Sequence, residues 1–163
     1  MKNVTFPEHK ILSARDIELL REAWRLKGLT VAFTNGCFDI LHKGHIASLS
    51  QAAESADILV VGINSDDSVK RLKGPERPIN NQSDRAEMLS SLIIVDAVVI
   101  FDENTPLELI QRLKPDVLVK GGDYTIDQIV GAKEVQNAGG KVIINPIISG
   151  YSTTSVIDKL IHR

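Results

Sequence analysis

A chain of 163 residues, 43% of them hydrophobic, has the length and apolar content of one domain with an ordinary core. Its formal net charge of −2 argues against a nucleic-acid binder that relies on bulk positive charge, and no apolar run approaches the ~20 residues of a membrane span. One cysteine rules out an internal disulfide and the N-terminus lacks a long apolar leader core, so a cytoplasmic setting is expected, without nucleic-acid or membrane partners.

In chain order, a first helix is expected over about 14–25, where Ser13 and Asp16 make an Asp-bearing variant of the capping box. Short apolar, β-branched runs then predict strands at 31–33, 58–63, 97–101, 117–119 and 142–144. Helical spacing fills the intervals at 45–55, 66–72, 84–92, 106–113 and 131–137, with a last helix at 153–161. Thr105 and Pro106 read as a cap and a first helical position, and Gly139-Gly140 as a helix stop. Continuous apolar strands alternating with helices predict a parallel sheet covered on both faces. The expected fold is a doubly wound, Rossmann-like α/β domain of five strands.

Ligands of such folds sit outside the carboxyl ends of the strands. Polar segments follow those ends at 35–45, 64–67, 120–124 and 149–155, which predicts one shared crevice. No G-x-G-x-x-G follows the first strand, and neither G-x-x-x-x-G-K-[ST] nor G-x-S-x-G occurs. Dinucleotide, P-loop and nucleophile-elbow readings therefore lack their fingerprints.

The most informative segment is Thr34-Asn35-Gly36-Cys37-Phe38-Asp39-Ile40-Leu41-His42-Lys43-Gly44-His45, which puts two imidazoles where a strand hands over to a helix. Gly36 and Gly44 let backbone and ligand approach closely, and the free N–H groups of a helix start favour an anion. Histidines three apart share one side of the first turn, so His42 and His45 can face one phosphate. A metal reading would need a third ligand, and Cys37 belongs to no Cys-x-x-Cys pair. Cys37 reads as a packing thiol rather than a nucleophile, because no base can be assigned to it.

Two further segments point to phosphate. Ser152-Thr153-Thr154 precedes the last helix; one hydroxyl would cap it, whereas three exceed what a cap needs. Lys70, Arg71, Lys73 and Arg77 form a basic stretch with Gly74, Pro75 and Pro78, suited to folding over a triphosphate as well as to a solvated face. Arg85 opens a helix, where its charge opposes the dipole and calls for an anionic partner.

Together these residues resemble the cytidylyltransferase-like nucleotidyltransferases. The pattern G-x-F-D-x-x-H-x-G-H is matched by Gly36 to His45, and the S-T-T signature by Ser152 to Thr154. Within that group the segments FTNGCFDILHKGH, VGINSDDSVKRLKG, ERPIN, VDAVVIFDENTPLELI, LVKGGDY and GAKEV look most like the adenylyltransferase domain of bacterial ADP-heptose synthases. The resemblance implies a single nucleotidyltransferase domain, with residues 1–29 as a helical extension and 30–163 as catalytic core, and leaves no room for a fused sugar kinase. It implies transfer of AMP from ATP to D-glycero-β-D-manno-heptose 1-phosphate for lipopolysaccharide core synthesis, with a separate heptose kinase upstream and Mg²⁺ carried on the ATP phosphates. By resemblance His42, His45, Lys73 and Arg85 are catalytic, and Lys70 also stabilises pyrophosphate. Asn35, Gly36, Phe38 and Asp39 would lie at the α-phosphate and ribose, Gly122 and Asp123 near the nucleoside, and Ser152 and Thr153 at the β- and γ-phosphates, with Gly44, Lys70 and Thr154 also binding the nucleotide. No protein metal ligands are implied. Polyol-phosphate cytidylyltransferases carry an arginine before S-T-T, whereas this chain has Pro146-Ile147-Ile148-Ser149, which favours ATP over CTP. The alternatives are a cytidylyltransferase acting on a polyol phosphate such as glycerol 3-phosphate, and a non-catalytic nucleotide-binding module. An exposed apolar helix face leaves a homodimer open.

Overall fold

Every strand belongs to one all-parallel sheet in the computed structural model, which describes residues 6–146. In chain order the elements are β1 (Ile11–Leu12), α1 (Ala14–Leu26), β2 (Val31–Gly36), α2 (Lys43–Ala53), β3 (Ile58–Asn64), α3 (Asp66–Lys73) and α4 (Gln82–Ser90). They continue with β4 (Ala97–Phe101), α5 (Leu107–Leu113), β5 (Val117–Gly121), α6 (Ala132–Asn137) and β6 (Lys141–Asn145). The expected last helix and Ser152, Thr153 and Thr154 lie outside the described residues.

The sheet has six strands in the order β1-β4-β3-β2-β5-β6, one more than the expected five. The added strand is an edge of two residues, with Ile11 opposite Val98 and Leu12 opposite Val99. Two residues carry no periodicity of their own, so only the tertiary pairing makes them a strand. The segment before residue 30 is therefore not purely helical: it feeds the sheet before α1 begins. Ser13 caps α1 as expected, its Oγ accepting the Asp16 N–H at 3.1 Å. The start of α5 differs from expectation. Pro106 is the residue before the helix, at φ −78° and ψ 12°, and no side chain caps it.

Alternation along the strands divides the core. Val31 and Phe33 of β2, with Val99 and Phe101 of β4, join Ile17, Leu109 and Leu113 from α1 and α5 on one face. Ala32, Val61 and Val98 face the other way, onto Leu49 of α2 and Leu89 of α4. Helices thus cover both faces, and each fully buried Phe or Leu contributes about 1.5–3 kcal/mol by leaving water. The amino ends of the strands are pinned by a repeated device. Asp57, Asp96 and Asp116 each precede a strand and accept a backbone N–H from the strand alongside or the residue before it (Thr30, Leu59 and Val31), all at 2.8 Å.

The carboxyl ends are where the chain changes direction. From β2 it passes through β3 to β4 on one side, then returns through α5 to β5 on the other side of β2. The ends of β2, β3 and β5 therefore frame the crevice of the sheet.

Candidate active site

The loop leaving β2 is shaped by one close approach and one unusual backbone conformation. A Cβ on Gly36 would stand 3.0 Å from the Phe38 ring, so only glycine leaves that ring its place without a shift. Phe38 lies at φ 48°, in the left-handed region that non-glycine residues rarely adopt, and its side chain is buried. The ring ends 5.2 Å from that of His45.

His42 is the cap residue of α2, its Nδ1 accepting the His45 backbone N–H at 3.4 Å. The two imidazoles stack with centroids 3.8 Å apart and planes 20° from parallel. Burial holds His45 down to about 4; proximity to His42 adds to the shift, and a hydrogen bond to the Ile40 backbone opposes it. Burial lowers His42 as well. The pair is neutral at pH 7, and His45 Nδ1 has no hydrogen-bond partner among the described residues. Gly44 lies half-buried in the first turn between them.

Asp39 does other work than expected. Its buried carboxylate accepts the Ile79 N–H at 2.8 and 2.9 Å, the Asn80 N–H at 2.9 Å and Arg77 Nε at 2.7 Å. Burial pushes its carboxyl up, but the Asn80 and Ile79 amides and the Arg77 guanidinium outweigh that and hold it below the usual range. With its acceptor sites filled by protein donors, Asp39 anchors the turn 77–80 to the histidine loop.

Arg85 has the anionic partner its place demanded, but that partner is protein. Its fully buried guanidinium donates to Asp66 Oδ1 at 2.8 Å, to the Cys37 carbonyl at 2.7 Å and to the Asn80 carbonyl at 3.0 Å. It ties three segments together and is closed to the crevice. The basic stretch splits similarly. Lys70 is exposed and paired with Asp67 at 3.1 Å, and Arg71 donates to Asn104 Oδ1 at 2.8 Å. Lys73 remains at the crevice. Three of these cations occupy the last turn of α3, where they also complement the helix dipole.

The crevice is a cavity of about 440 Å³. Its walls are Asn35, Gly36 and Cys37 after β2, Asn64 ending β3, Leu72 and Lys73 of α3, and Asn104 to Pro106 after β4. Lys120 of β5, with Tyr124 and Gln128 to Val130, completes them. Among the described residues no Asp or Glu lines it. Gly122 is buried beneath the Tyr124 ring at φ 135° and Asp123 is exposed; neither reaches the cavity, whereas Tyr124 does. Burial pushes the Cys37 thiol up against the pull of Lys73, Arg85 and Arg77, so it is a lining group and not an activated nucleophile. A larger open groove of about 800 Å³ runs along α1 and α5, but its charged lining is largely ion-paired, as in Arg25–Glu22 and Arg112–Glu108.

Lys120 lies in the 120–124 segment expected at the crevice, but no role of its own was expected for it. Its Nζ donates to Asn35 Oδ1 at 3.3 Å, and burial lowers its basicity. The available signal was a lysine following the apolar run Val117-Leu118-Val119. Asn64 lies in the 64–67 segment expected at the crevice, whereas Asn104 and Gln128 gave no signal, since nothing local distinguishes them from ordinary loop residues.

Residues 33–159 match the family described as Cytidylyltransferase-like. The chain belongs to that family. It is therefore a nucleotidyltransferase, as the histidine motif implied. It is 55% identical over 159 residues to the bifunctional protein HldE of Paramagnetospirillum magneticum, covering 98% of this chain and 33% of that protein. HldE of Mesorhizobium japonicum is 57% identical over 150 residues, covering 92% of this chain and 30% of its own length. The chain thus spans about a third of these curated relatives. Among solved structures, the lipopolysaccharide core biosynthesis protein of Thermoplasma volcanium aligns at a TM-score of 0.60 and 30% identity, over 77% of this chain and all of that one. Pantoate-β-alanine ligase of Francisella tularensis aligns at a TM-score of 0.58 over 94% of this chain and 78% of its own; at 16% identity it shares the fold alone.

Proposed function

We propose that this nucleotidyltransferase moves AMP from ATP to D-glycero-β-D-manno-heptose 1-phosphate, giving ADP-heptose and pyrophosphate. The observation that carries the reading is the stacked, neutral His42–His45 pair at the start of α2, on the loop whose Gly36 and Cys37 line a cavity that, among the described residues, holds two lysines and no carboxylate. An oxygen of the sugar phosphate attacks the α-phosphorus in line. The new P–O bond forms as the bond to the oxygen bridging the β-phosphorus breaks, and pyrophosphate leaves with that oxygen and its electron pair.

The attacking oxygen is already anionic at neutral pH, so no base is needed. Positioning and charge stabilisation supply the catalysis. A neutral imidazole keeps one N–H donor. His42, whose Nδ1 accepts the His45 amide, offers its own to the triphosphate, where charge builds during transfer. His45 does the same on giving up its Ile40 backbone bond. Lys73 draws the leaving pyrophosphate, and the S-T-T signature Ser152-Thr153-Thr154 is assigned to the β- and γ-phosphates by its resemblance to the family's. Mg²⁺ neutralises triphosphate charge when bound. Among the described residues no three His, Cys, Asp or Glu side chains converge to cage an ion.

The heptose acceptor is supported by the identity to the HldE proteins and by the segments shared with ADP-heptose synthases. A kinase must act upstream to supply the 1-phosphate, and the product would enter lipopolysaccharide core assembly. No helix among the described residues is long and apolar enough to cross a membrane. ATP and sugar phosphates are cytoplasmic metabolites, and that is the compartment we assign.

Pyrophosphate release measured with ATP or CTP, each paired with heptose 1-phosphate or glycerol 3-phosphate, tests the reading. ATP with heptose 1-phosphate is expected to exceed the other pairs. Faster release with CTP and glycerol 3-phosphate would replace the substrates and keep the chemistry.

A further inference from the structure

Lys120 is the penultimate residue of β5, which runs beside β2 at the point where strand order reverses. Its ammonium is partly withdrawn from water, and its one hydrogen bond among the described residues is to an amide, Asn35 Oδ1. An amide oxygen replaces only part of an ammonium's hydration and cancels none of its charge, so burial without a carboxylate is costly. Among the described residues no carboxylate offsets that cost. Leu118 and Val119 just before it are buried apolar residues, and an uncharged side chain of the same length would fill the place. The charge is stabilised when an anion enters the cavity.

The rest of the cavity narrows the identity of that anion. Asn35, Asn64, Asn104 and Gln128 offer amide donors and acceptors, the complement of a polyol's hydroxyls. Lys73 enters separately, from the exposed end of α3, so the cavity holds two cations on different elements. The transfer reaction brings two anions together, a triphosphate and an acceptor phosphate. Both carry hydroxyls, but the acceptor sets five of them on a ring and side chain next to a single phosphate, which fits one lysine among several amides, whereas the nucleotide's two ribose hydroxyls lie beyond a triphosphate. Asn35 is also the residue before Gly36, whose neighbour Phe38 packs on His45, which puts the Lys120–Asn35 pair next to the imidazole loop.

We infer that Lys120 is a specificity-determining residue that binds the phosphate of the acceptor, with the amide side chains around it reading the sugar hydroxyls. The assignment rests on the nucleotidyl-transfer reading given above and names the acceptor side of that site.

The test compares wild type with Lys120→Met, Lys120→Gln and Lys120→Arg in three measurements. These are KM for heptose 1-phosphate by pyrophosphate release, Kd for Mg-ATP alone by calorimetry, and the thermal midpoint. Lys120→Met and Lys120→Gln are expected to raise acceptor KM by about 30-fold or more, the size of a lost charge-assisted contact, with ATP Kd within about twofold of wild type. Their thermal midpoint should equal or exceed that of wild type, because an unpaired buried charge is gone. Lys120→Arg should keep a larger share of acceptor affinity than Lys120→Gln. If wild type prefers another sugar 1-phosphate, the same separation of KM from ATP Kd is read on that substrate. An unchanged acceptor KM in a wild-type-like fold overturns the inference alone, as does a loss of ATP affinity matching the loss of acceptor affinity. If wild type transfers to no sugar phosphate with either nucleotide, the transfer reading falls and this assignment falls with it.

Discussion

His42 and His45 lie face to face, their ring centroids 3.8 Å apart, and the inner ring is held neutral down to about pH 4. This arrangement fixes a pH dependence. In the unfolded chain a histidine titrates near 6.5, so between ~6.5 and about 4 the unfolded state binds a proton that folded His45 refuses. The stability held above ~6.5 is therefore lost progressively as pH falls toward the folded value. Thermal midpoints measured from pH 7.5 to 4.5 should drop in wild type, and the slope should flatten in His45→Gln. Parallel curves for the two proteins would show that His45 is not the group responsible.

Removing either imidazole should cost turnover about 10²-fold or more, the usual worth of one preorganised donor to transition-state charge. His42 needs two variants, because it also caps α2. His42→Ala loses the cap and with it about 0.5–1 kcal/mol of stability, whereas His42→Asn restores an acceptor for the His45 N–H. Turnover should fall alike in both while only His42→Ala melts lower. Recovery of turnover in His42→Asn would assign the residue to helix capping.

Most of the fold was legible because buried parallel strands and amphipathic helices announce themselves over several residues. Strands β2 to β6 and all six helices from α1 to α6 lie within a few residues of where periodicity put them. Strand β1 was not legible, since Ile11 and Leu12 become a strand only through Val98 and Val99. In the site, the histidine loop was readable because its chemistry is local. The roles of Asp39 and Arg85 were not, because the groups that occupy them, Ile79, Asn80 and Arg77 for one and Cys37 and Asp66 for the other, come from distant positions. A charged residue in a motif looks the same in sequence whether it meets a ligand or a protein partner.

That distinction gives Arg85 a clear expected phenotype. Removing one member of a buried, hydrogen-bonded ion pair leaves the other uncompensated, which costs about 3–5 kcal/mol when both are fully buried; Asp66 is partly exposed, so the lower end applies. Arg85→Met should therefore lower the urea midpoint strongly, and Arg85→Lys nearly as much, because a lysine cannot reach the Cys37 and Asn80 carbonyls and Asp66 together. A variant with wild-type stability and reduced ATP affinity would return Arg85 to the nucleotide.

Lys70 and Lys73 stand three residues apart on one short helix and separate the same two possibilities. Lys70 is exposed and its contact is Asp67, an i,i+3 pair of the kind worth only a few tenths of a kcal/mol. Lys73 lines the cavity opposite no carboxylate among the described residues, so its charge is available to an incoming phosphate. Lys73→Ala should reduce kcat/KM by about 10-fold to 100-fold, in the range expected for a charge-assisted contact of 1.5–3 kcal/mol, with the thermal midpoint unchanged because the side chain is exposed. Lys70→Ala should change kcat/KM by less than about threefold at moderate salt. Measuring both at two ionic strengths sharpens the contrast: a deficit from Lys70→Ala should vanish as salt rises, and one from Lys73→Ala should persist because the contact lies within a cavity. Equal effects from the two substitutions would mean that the helix acts on the triphosphate through its summed charge, and the assignment of Lys73 alone would be wrong.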